Sequence, residues 1–129
     1  MSFSGKTVLI TGAGSGMGRL AVRNMAAAGA TVAALDVNEA GLAETAAGLG
    51  SVRSFVVDVT DAAHTAAVVQ ETEAEMGPIA RVYNAAAIMP LGLLLEQDTA
   101  LIHKIMAINY GGVVNVAKAT LPAMLERGR

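Results

Sequence analysis

Three glycines and one carboxylate carry the clearest chemistry in this 129-residue chain. In Thr11-Gly-Ala-Gly-Ser-Gly-Met-Gly18, the glycines at 12, 16 and 18 fit the spacing G-x-x-x-G-x-G. The more familiar G-x-G-x-x-G fails, because Met17 stands where its third glycine would fall. Glycine at such points lets the backbone turn sharply, approach a phosphate with no Cβ in the way, and pack a helix closely on a sheet. A helix starting within the run would offer free N–H groups and its positive dipole end, around Ser15 to Gly18, to a pyrophosphate. Asp36 follows Gly18 by 18 residues, near the spacing of ~20 at which an acid reaches the hydroxyls of an adenine-linked ribose. A carboxylate there also repels a 2′-phosphate, and neither Ser15 nor Val37 supplies a cation to attract one. The pattern points to a dinucleotide, NAD rather than NADP. Against it stand two plainer readings, a glycine-rich turn and a solvated turn aspartate.

These residues need a strand before the loop, a helix after it, and a second strand ending at Asp36. Thr7–Ile10 is a short β-branched apolar run that stops at the glycines, as a buried parallel strand does. Met17–Ala28 is rich in helix formers, with Met17, Leu20, Ala21, Met25 and Ala28 at helical spacing and Gly29 as a stop. Thr31–Leu35 is a second strand, followed by a turn at Asp36-Val37-Asn38 and a helix to about Leu49. Val52–Val57 is a third strand. Asp61 caps a helix to about Met76 that Gly77-Pro78 ends, and Ile79–Tyr83 is a fourth strand. Asn84–Gln97, with Pro90 and Gly92, is expected to be irregular, with Leu93-Leu94-Leu95 a candidate helical turn docking on the body. Asp98 or Thr99 caps a final helix through Ala119 to about Glu126, whose interior Gly111-Gly112 suggests close packing, since each costs about 1 kcal/mol against alanine. Strand and helix alternating four times demand parallel strands and right-handed crossovers. The expected fold is α/β, a Rossmann-type doubly wound parallel sheet of about four strands, with residues 1–129 as one domain.

Composition narrows the alternatives. The chain is 53% hydrophobic and only 3% aromatic, without Cys or Trp, so its core draws on Ala, Val, Leu, Ile and Met, and the methionines are expected to fill it. A mean hydropathy of +0.51 is high for a small domain and suggests that some apolar surface awaits a partner. Without cysteine there is no disulfide framework, thiolate metal site or thiol nucleophile. A net charge of -2 with no basic cluster argues against nucleic acid or an anionic membrane. No signal peptide or membrane-spanning stretch is apparent, and a cytoplasmic protein is expected. His64 and His103 have no partner at useful spacing, Ser15 and Ser51 have no base nearby, and Glu71–Glu75 reads as a solvated helix face. No hydrolase or metal site is expected.

Along nearly its whole length the sequence resembles the short-chain dehydrogenase/reductase family. Thr11 to Gly18 matches that family's T-G-x-x-x-G-x-G cofactor loop. Asp58-Val59 matches the Asp-Val pair which, by resemblance, bonds the adenine amino group and walls the ring. Asn84-Ala-Ala-Ala87 resembles the N-N-A-G element bordering the cofactor, with Asn84, Ala85 and Ala86 implied at the site. Ile108-Asn-Tyr-Gly-Gly-Val-Val-Asn115 resembles the helix segment whose first Asn, here Asn109, is implied to be catalytic and to hold a proton-relay water. The resemblance further implies hydride transfer between nicotinamide and a small alcohol or carbonyl substrate, and a homo-oligomer formed through the long final helix. The sequence departs from the family in its catalytic Ser and its Tyr-x-x-x-Lys. Four residues after Tyr83 and Tyr110 stand Ala87 and Val114. The chain is therefore expected to correspond to an N-terminal half, holding cofactor with little or no turnover. Two other readings stay open: a non-catalytic module completed by a partner chain, and an S-adenosylmethionine-dependent methyltransferase, whose loop normally has an acid where Ile10-Thr11 stands.

Overall fold

The computed structural model describes residues 2–128, so Met1 and Arg129 of the expected domain lie outside the described residues. Four parallel strands form one sheet in the order β3-β2-β1-β4. They are β1 (Thr7–Thr11), β2 (Thr31–Asp36), β3 (Val52–Val56) and β4 (Ile79–Asn84). From β1 the chain steps outward to β2 and β3, then crosses back to place β4 on the other flank of β1. Winding thus reverses between β1 and β4, and in such sheets the crevice beyond the strand ends at the reversal is where ligands bind.

Strand composition follows from this placement. Every residue of β1 is buried, as a central strand covered on both faces requires. Val8 and Ile10 of β1 join Val32 and Ala34 of β2 in a core that takes in Val22 and Leu42. These two belong to α1 (Gly16–Ala27) and α2 (Glu39–Ala46). The intervening Leu9, Ala33 and Leu35 form the opposite core with Val68, Val69 and Val116. Those three belong to α3 (Ala62–Met76) and to the helix α5 (Gly112–Arg127). Period-two alternation in β1 and β2 therefore feeds two separate cores.

The edges differ. On β3, Arg53 lies 4.8 Å from the Phe55 ring centroid and pairs with Glu71 at 2.9 Å and with Glu75, which screens that margin with charge. The solvated face expected at Glu71–Glu75 is thus tied to the sheet. Among the described residues, β4 pairs with β1 alone. At its start, Arg127 donates to the Ile79 carbonyl (2.8 Å) and to Glu73 (3.1 Å), whose carboxylate accepts from the Ile79 N–H (3.2 Å).

Several expectations need correction. Helix α2 stops at Ala46, short of Leu49, because the chain turns with Gly48 at a φ of 75°. The stripe on α1 is not all core: Ala21 and Met25 pack against the core beside the buried Val22, while Met17 and Leu20 are 72% and 59% exposed. They flank an open apolar groove between α1 and β4 that Val82 and Tyr83 also line. Core filling likewise fails for Met17, Met89 and Met106, all exposed. The turn at Leu93 forms, with Gln97 N–H donating to the Leu93 carbonyl. It does not dock, since Leu93, Leu94 and Leu95 are all exposed.

The final helix is continuous but not uniform. α4 (Thr99–Met106), capped by Asp98, passes through a π-helical turn at Ala107–Gly111 into α5. The extra residue of the π turn lets two contacts coexist: Asn109 bonds Ile88, and Gly112 presses on Val59. Only the second of the paired glycines is needed for close approach. A Cβ on Gly112 would sit 2.5 Å from Val59 Cγ2, whereas on Gly111 the nearest atom is 4.0 Å away. Gly112→Ala is expected to cost about 1–3 kcal/mol by overpacking, and Gly111→Ala to be neutral or to stabilise by up to about 1 kcal/mol. Paired urea denaturation curves check this, and equal effects from both would refute it.

Candidate functional site

At the C-terminal ends of the strands, over the β1/β4 reversal, lies a cleft of about 650 Å³, within the range typical of small-molecule sites. The glycine loop forms one wall, and its glycines have three different jobs. Gly12, at φ +65°, allows the loop to touch the β4 end: a Cβ there would lie 2.5 Å from the Ala85 carbonyl. A Cβ on Gly18 would fall 2.0 Å from the Gly12 oxygen, so this glycine seats α1 on the loop. Gly16, at φ +52°, would meet nothing within 4 Å, because it faces the open cleft.

Ser15 caps α1 in an extended conformation without a side-chain cap bond. The first intrahelical donor is Arg19 N–H, bonding the Ser15 carbonyl at 3.1 Å. The N–H groups of Gly16, Met17 and Gly18 thus lack an intrahelical acceptor and point out of the helix end.

Asp36 closes β2. Its Oδ2 accepts from Gly14 N–H at 2.8 Å and its Oδ1 from Asn38 N–H at 2.9 Å. Each carboxylate oxygen keeps a further lone pair for another donor. Gly14 was not singled out in the sequence, yet a Cβ there would sit 3.0 Å from the Asp36 carboxylate.

Asp58, beyond β3, accepts from the backbone N–H of Thr60 (2.9 Å) and from its hydroxyl (2.7 Å). It is both a turn cap and a lining residue. Those two bonds, aided by the Lys104 ammonium and opposed slightly by burial, hold its carboxyl below the usual aspartate range. The sign follows: stability from these bonds is complete above the unfolded-state pKa and is lost as pH falls through the lower folded value. Thr60→Ala removes the hydroxyl donor and should move the Asp58 carboxyl resonance midpoint upward in a carbon-13 NMR titration. An unmoved midpoint would contradict the assignment. Val59 is buried under Gly112, and its carbonyl accepts from Asn115 Nδ2 at 2.8 Å, which ties α5 to the cleft floor.

Of the residues expected at the site, Gly12, Ser15, Gly16, Met17, Gly18, Asp36, Asp58, Val59, Ala85 and Ala86 line the cleft; Thr11, Asn84 and Asn109 do not. Thr11 is 1% exposed, and its hydroxyl accepts from Ala85 N–H and Ala86 N–H, both at 3.2 Å. It staples the loop after β4. Asn84 takes part through backbone pairing with Thr11 at the end of β4. The Asn109 amide is spent on Ile88, accepting from its N–H at 2.9 Å and donating to its carbonyl at 2.8 Å. It positions a lining residue.

Leu35, Val37, Val57, Ala87, Ile88, Lys104 and Ile108 also line the cleft. The strand-end members could have been found by extending each motif one residue. Ile108 opens the helix segment already recognised, whereas Lys104 lies outside every motif and reaches the cleft only through the path of the long loop and α4. His64 and His103 are exposed, and the described residues hold no cluster suited to a metal ion. No helix among them is long and apolar enough to cross a membrane.

A doubly wound parallel sheet with a glycine loop between β1 and α1, an acid ending β2 and a cleft at the winding reversal defines the class. Comparison with known proteins narrows it. The family model described as short chain dehydrogenase matches residues 6–129, and the chain belongs to that family. It is 40% identical over 127 residues to the 2,5-dichloro-2,5-cyclohexadiene-1,4-diol dehydrogenase of Sphingobium indicum, covering 97% of this chain and 51% of that protein. It is 39% identical over 125 residues to the 2-keto-3-deoxy-L-fuconate dehydrogenase of Xanthomonas campestris, covering 97% and 40%. A solved short-chain dehydrogenase structure from Novosphingobium aromaticivorans superposes with a TM-score of 0.91 at 28% identity, over 98% of this chain and 48% of that one. The chain spans about half the length of the relatives it matches.

Proposed function

We propose that residues 1–129 form one NAD-binding unit of an oxidoreductase that interconverts alcohols and carbonyl compounds. The observation that carries the reading is Asp36. Its carboxylate ends β2 at the cleft with both oxygens oriented by backbone N–H groups and with acceptor capacity left for ribose hydroxyls. The chain's residues fit such a cofactor. Gly16 leaves free the space a Cβ would take, and the outward N–H groups of Gly16, Met17 and Gly18 suit a pyrophosphate. Asp58 stays ionised to accept from the adenine amino group, and Val59 offers an apolar wall. Once bound, the nicotinamide would supply the hydride acceptor or donor. The protein's part is to hold the dinucleotide at the strand ends and, through Asn109 and Ile88, to fix the loop that borders it.

Both named relatives are dehydrogenases, of a chlorinated cyclohexadiene diol and of a keto-deoxy sugar acid, which supports alcohol and carbonyl chemistry without choosing a substrate. Tyr83 and Tyr110 are not cleft residues, and neither has a lysine four residues on. We therefore expect the 129-residue chain to bind cofactor without measurable turnover. Isothermal titration with NAD, NADP and S-adenosylmethionine tests the reading. NAD should bind, NADP at least about tenfold more weakly given the carboxylate, and S-adenosylmethionine not detectably. Preference for S-adenosylmethionine would replace this function with methyl transfer. Exposed Met106, Tyr110, Val113, Leu121 and Leu125 along α4, the π turn and α5 favour self-association through that helix, which sedimentation velocity would register. We also place the protein in the cytoplasm.

A further inference from the structure

One oxygen of the Asp36 carboxylate is held by Gly14, and the Ala13–Gly14 segment is itself held from behind by side chains of helices α1 and α2. The Gly14 N–H donates to Asp36 Oδ2 at 2.8 Å, while its carbonyl accepts from Arg19 Nη2 at 2.6 Å. The preceding carbonyl, of Ala13, lies 2.8 Å from the Thr45 hydroxyl, whose single proton is shared with the Gly41 carbonyl at 3.0 Å. Arg19 Nε donates to the same hydroxyl oxygen at 3.0 Å, and the guanidinium pairs with Glu44 at 3.0 Å. Thr45 is fully buried. The loop and α2 touch directly, for a Cβ on Gly41 would lie 2.6 Å from the Gly14 oxygen.

In a planar trans peptide the C=O and the following N–H point opposite ways. Drawing the Ala13 carbonyl toward Thr45 turns the Gly14 N–H to the far side, where Asp36 stands. Drawing the Gly14 carbonyl to Arg19 likewise turns the Ser15 N–H away from α2. These bonds commit the Arg19 cation to Glu44, Thr45, the Gly14 carbonyl of the loop and the Gly41 carbonyl of α2, and Arg19 is not among the cleft-lining residues. A positive charge one helical turn from the loop is thereby kept off the ribose 2′ position.

Resting on the NAD reading above, we propose that Arg19 and Thr45 are positioning residues for the adenine-linked ribose. Acting through the Ala13 and Gly14 peptides, they aim the Asp36 carboxylate and so create the selectivity for a 2′-hydroxyl. Neither side chain touches the nucleotide.

The test is the ratio of dissociation constants for NAD and for its analogue lacking the adenosine 2′-hydroxyl, measured by titration calorimetry on the 129-residue chain. The unchanged protein should prefer NAD by about tenfold or more, the value of one hydrogen bond to a charged group. In Thr45→Val and Arg19→Ala the ratio should fall to within about threefold of unity, as expected when a charged hydrogen bond loses its alignment. Affinity for the deoxy analogue should stay near its starting value. Thr45→Ser keeps the hydroxyl and should keep the ratio. A residue that merely supports packing would weaken both ligands equally, and equal weakening or an unchanged ratio overturns the proposal. Should Thr45→Val fail to fold, as judged by circular dichroism, Arg19→Ala decides, because the Arg19 side chain is only partly buried and stands outside both apolar cores. Equal binding of both ligands by the unchanged chain overturns this inference while leaving NAD binding intact, whereas binding of neither removes the functional reading as well.

Discussion

Gly12→Ala is expected to destabilise the protein by about 2–5 kcal/mol and to abolish cofactor binding. Two costs add. A side chain at a φ of +65° pays the left-handed penalty, about 1–2 kcal/mol. The new Cβ would also lie 2.5 Å from the Ala85 carbonyl carbon and oxygen and 2.6 Å from the Ala86 nitrogen. These are backbone atoms that cannot swing aside, so overpacking adds roughly 1–3 kcal/mol. Relief would require the β4 loop to withdraw from Thr11, breaking the two hydrogen bonds its hydroxyl accepts. Against a total stability of roughly 5–15 kcal/mol, the sum leaves a partly unfolded population. Gly16→Ala is the informative contrast: with nothing near its Cβ it pays only the conformational cost, yet that Cβ enters the cleft. Urea denaturation should show a severe loss for Gly12→Ala and a mild one for Gly16→Ala, with NAD binding lost in the first and weakened in the second. A Gly12→Ala protein as stable as the original would mean the loop does not need its contact with Ala85.

Asp36→Ala carries the second large effect, about a 100-fold rise in the NAD dissociation constant. Hydrogen bonds to a charged group are worth about 1.5–3 kcal/mol, and about 2.7 kcal/mol corresponds to 100-fold. Part of the loss comes from the loop itself, since the Gly14 and Asn38 N–H groups lose their acceptor. The NADP dissociation constant should change far less, because the lost attraction is offset by relief of carboxylate–phosphate repulsion, and the preference for NAD should nearly vanish. Calorimetric titration of both dinucleotides measures this. If NAD affinity survives the substitution, the adenine ribose does not lie at the end of β2.

The parts of this architecture that could be read from the sequence are those encoded within one strand or helix and its ends. Asp61 and Gly77 bound α3 as expected because capping and C-terminal glycine act over a few residues. The glycine loop could be read because strand, turn and helix are contiguous. The structural part that Thr11 plays is not legible for the converse reason: the motif includes it, but its partners are the N–H groups of Ala85 and Ala86, more than seventy residues on. Asn109 likewise belongs to a recognisable segment, while the bond partner that defines its role, Ile88, lies across an irregular loop. Met25, Met76 and Ala21 pack on the cores as their spacing suggests, whereas Met17 and Leu20 do not, because periodicity reports which face is apolar, not whether anything covers it, and among the described residues no strand covers the margin of β4. Nothing local marked the π turn, which arises where one helix must satisfy two distant anchors.

That π turn also sets a phase. An α-helix rotates by about 100° per residue, and the wide turn at Ala107–Gly111 absorbs one residue beyond that winding. Removing a single residue there would let the turn close into α-helix with α4 and α5 still in phase, at the expense of the Asn109–Ile88 bonds. The same deletion within α4 would instead turn everything before it by about 100°, so a change of length should be tolerated better in the turn than in the helix that precedes it.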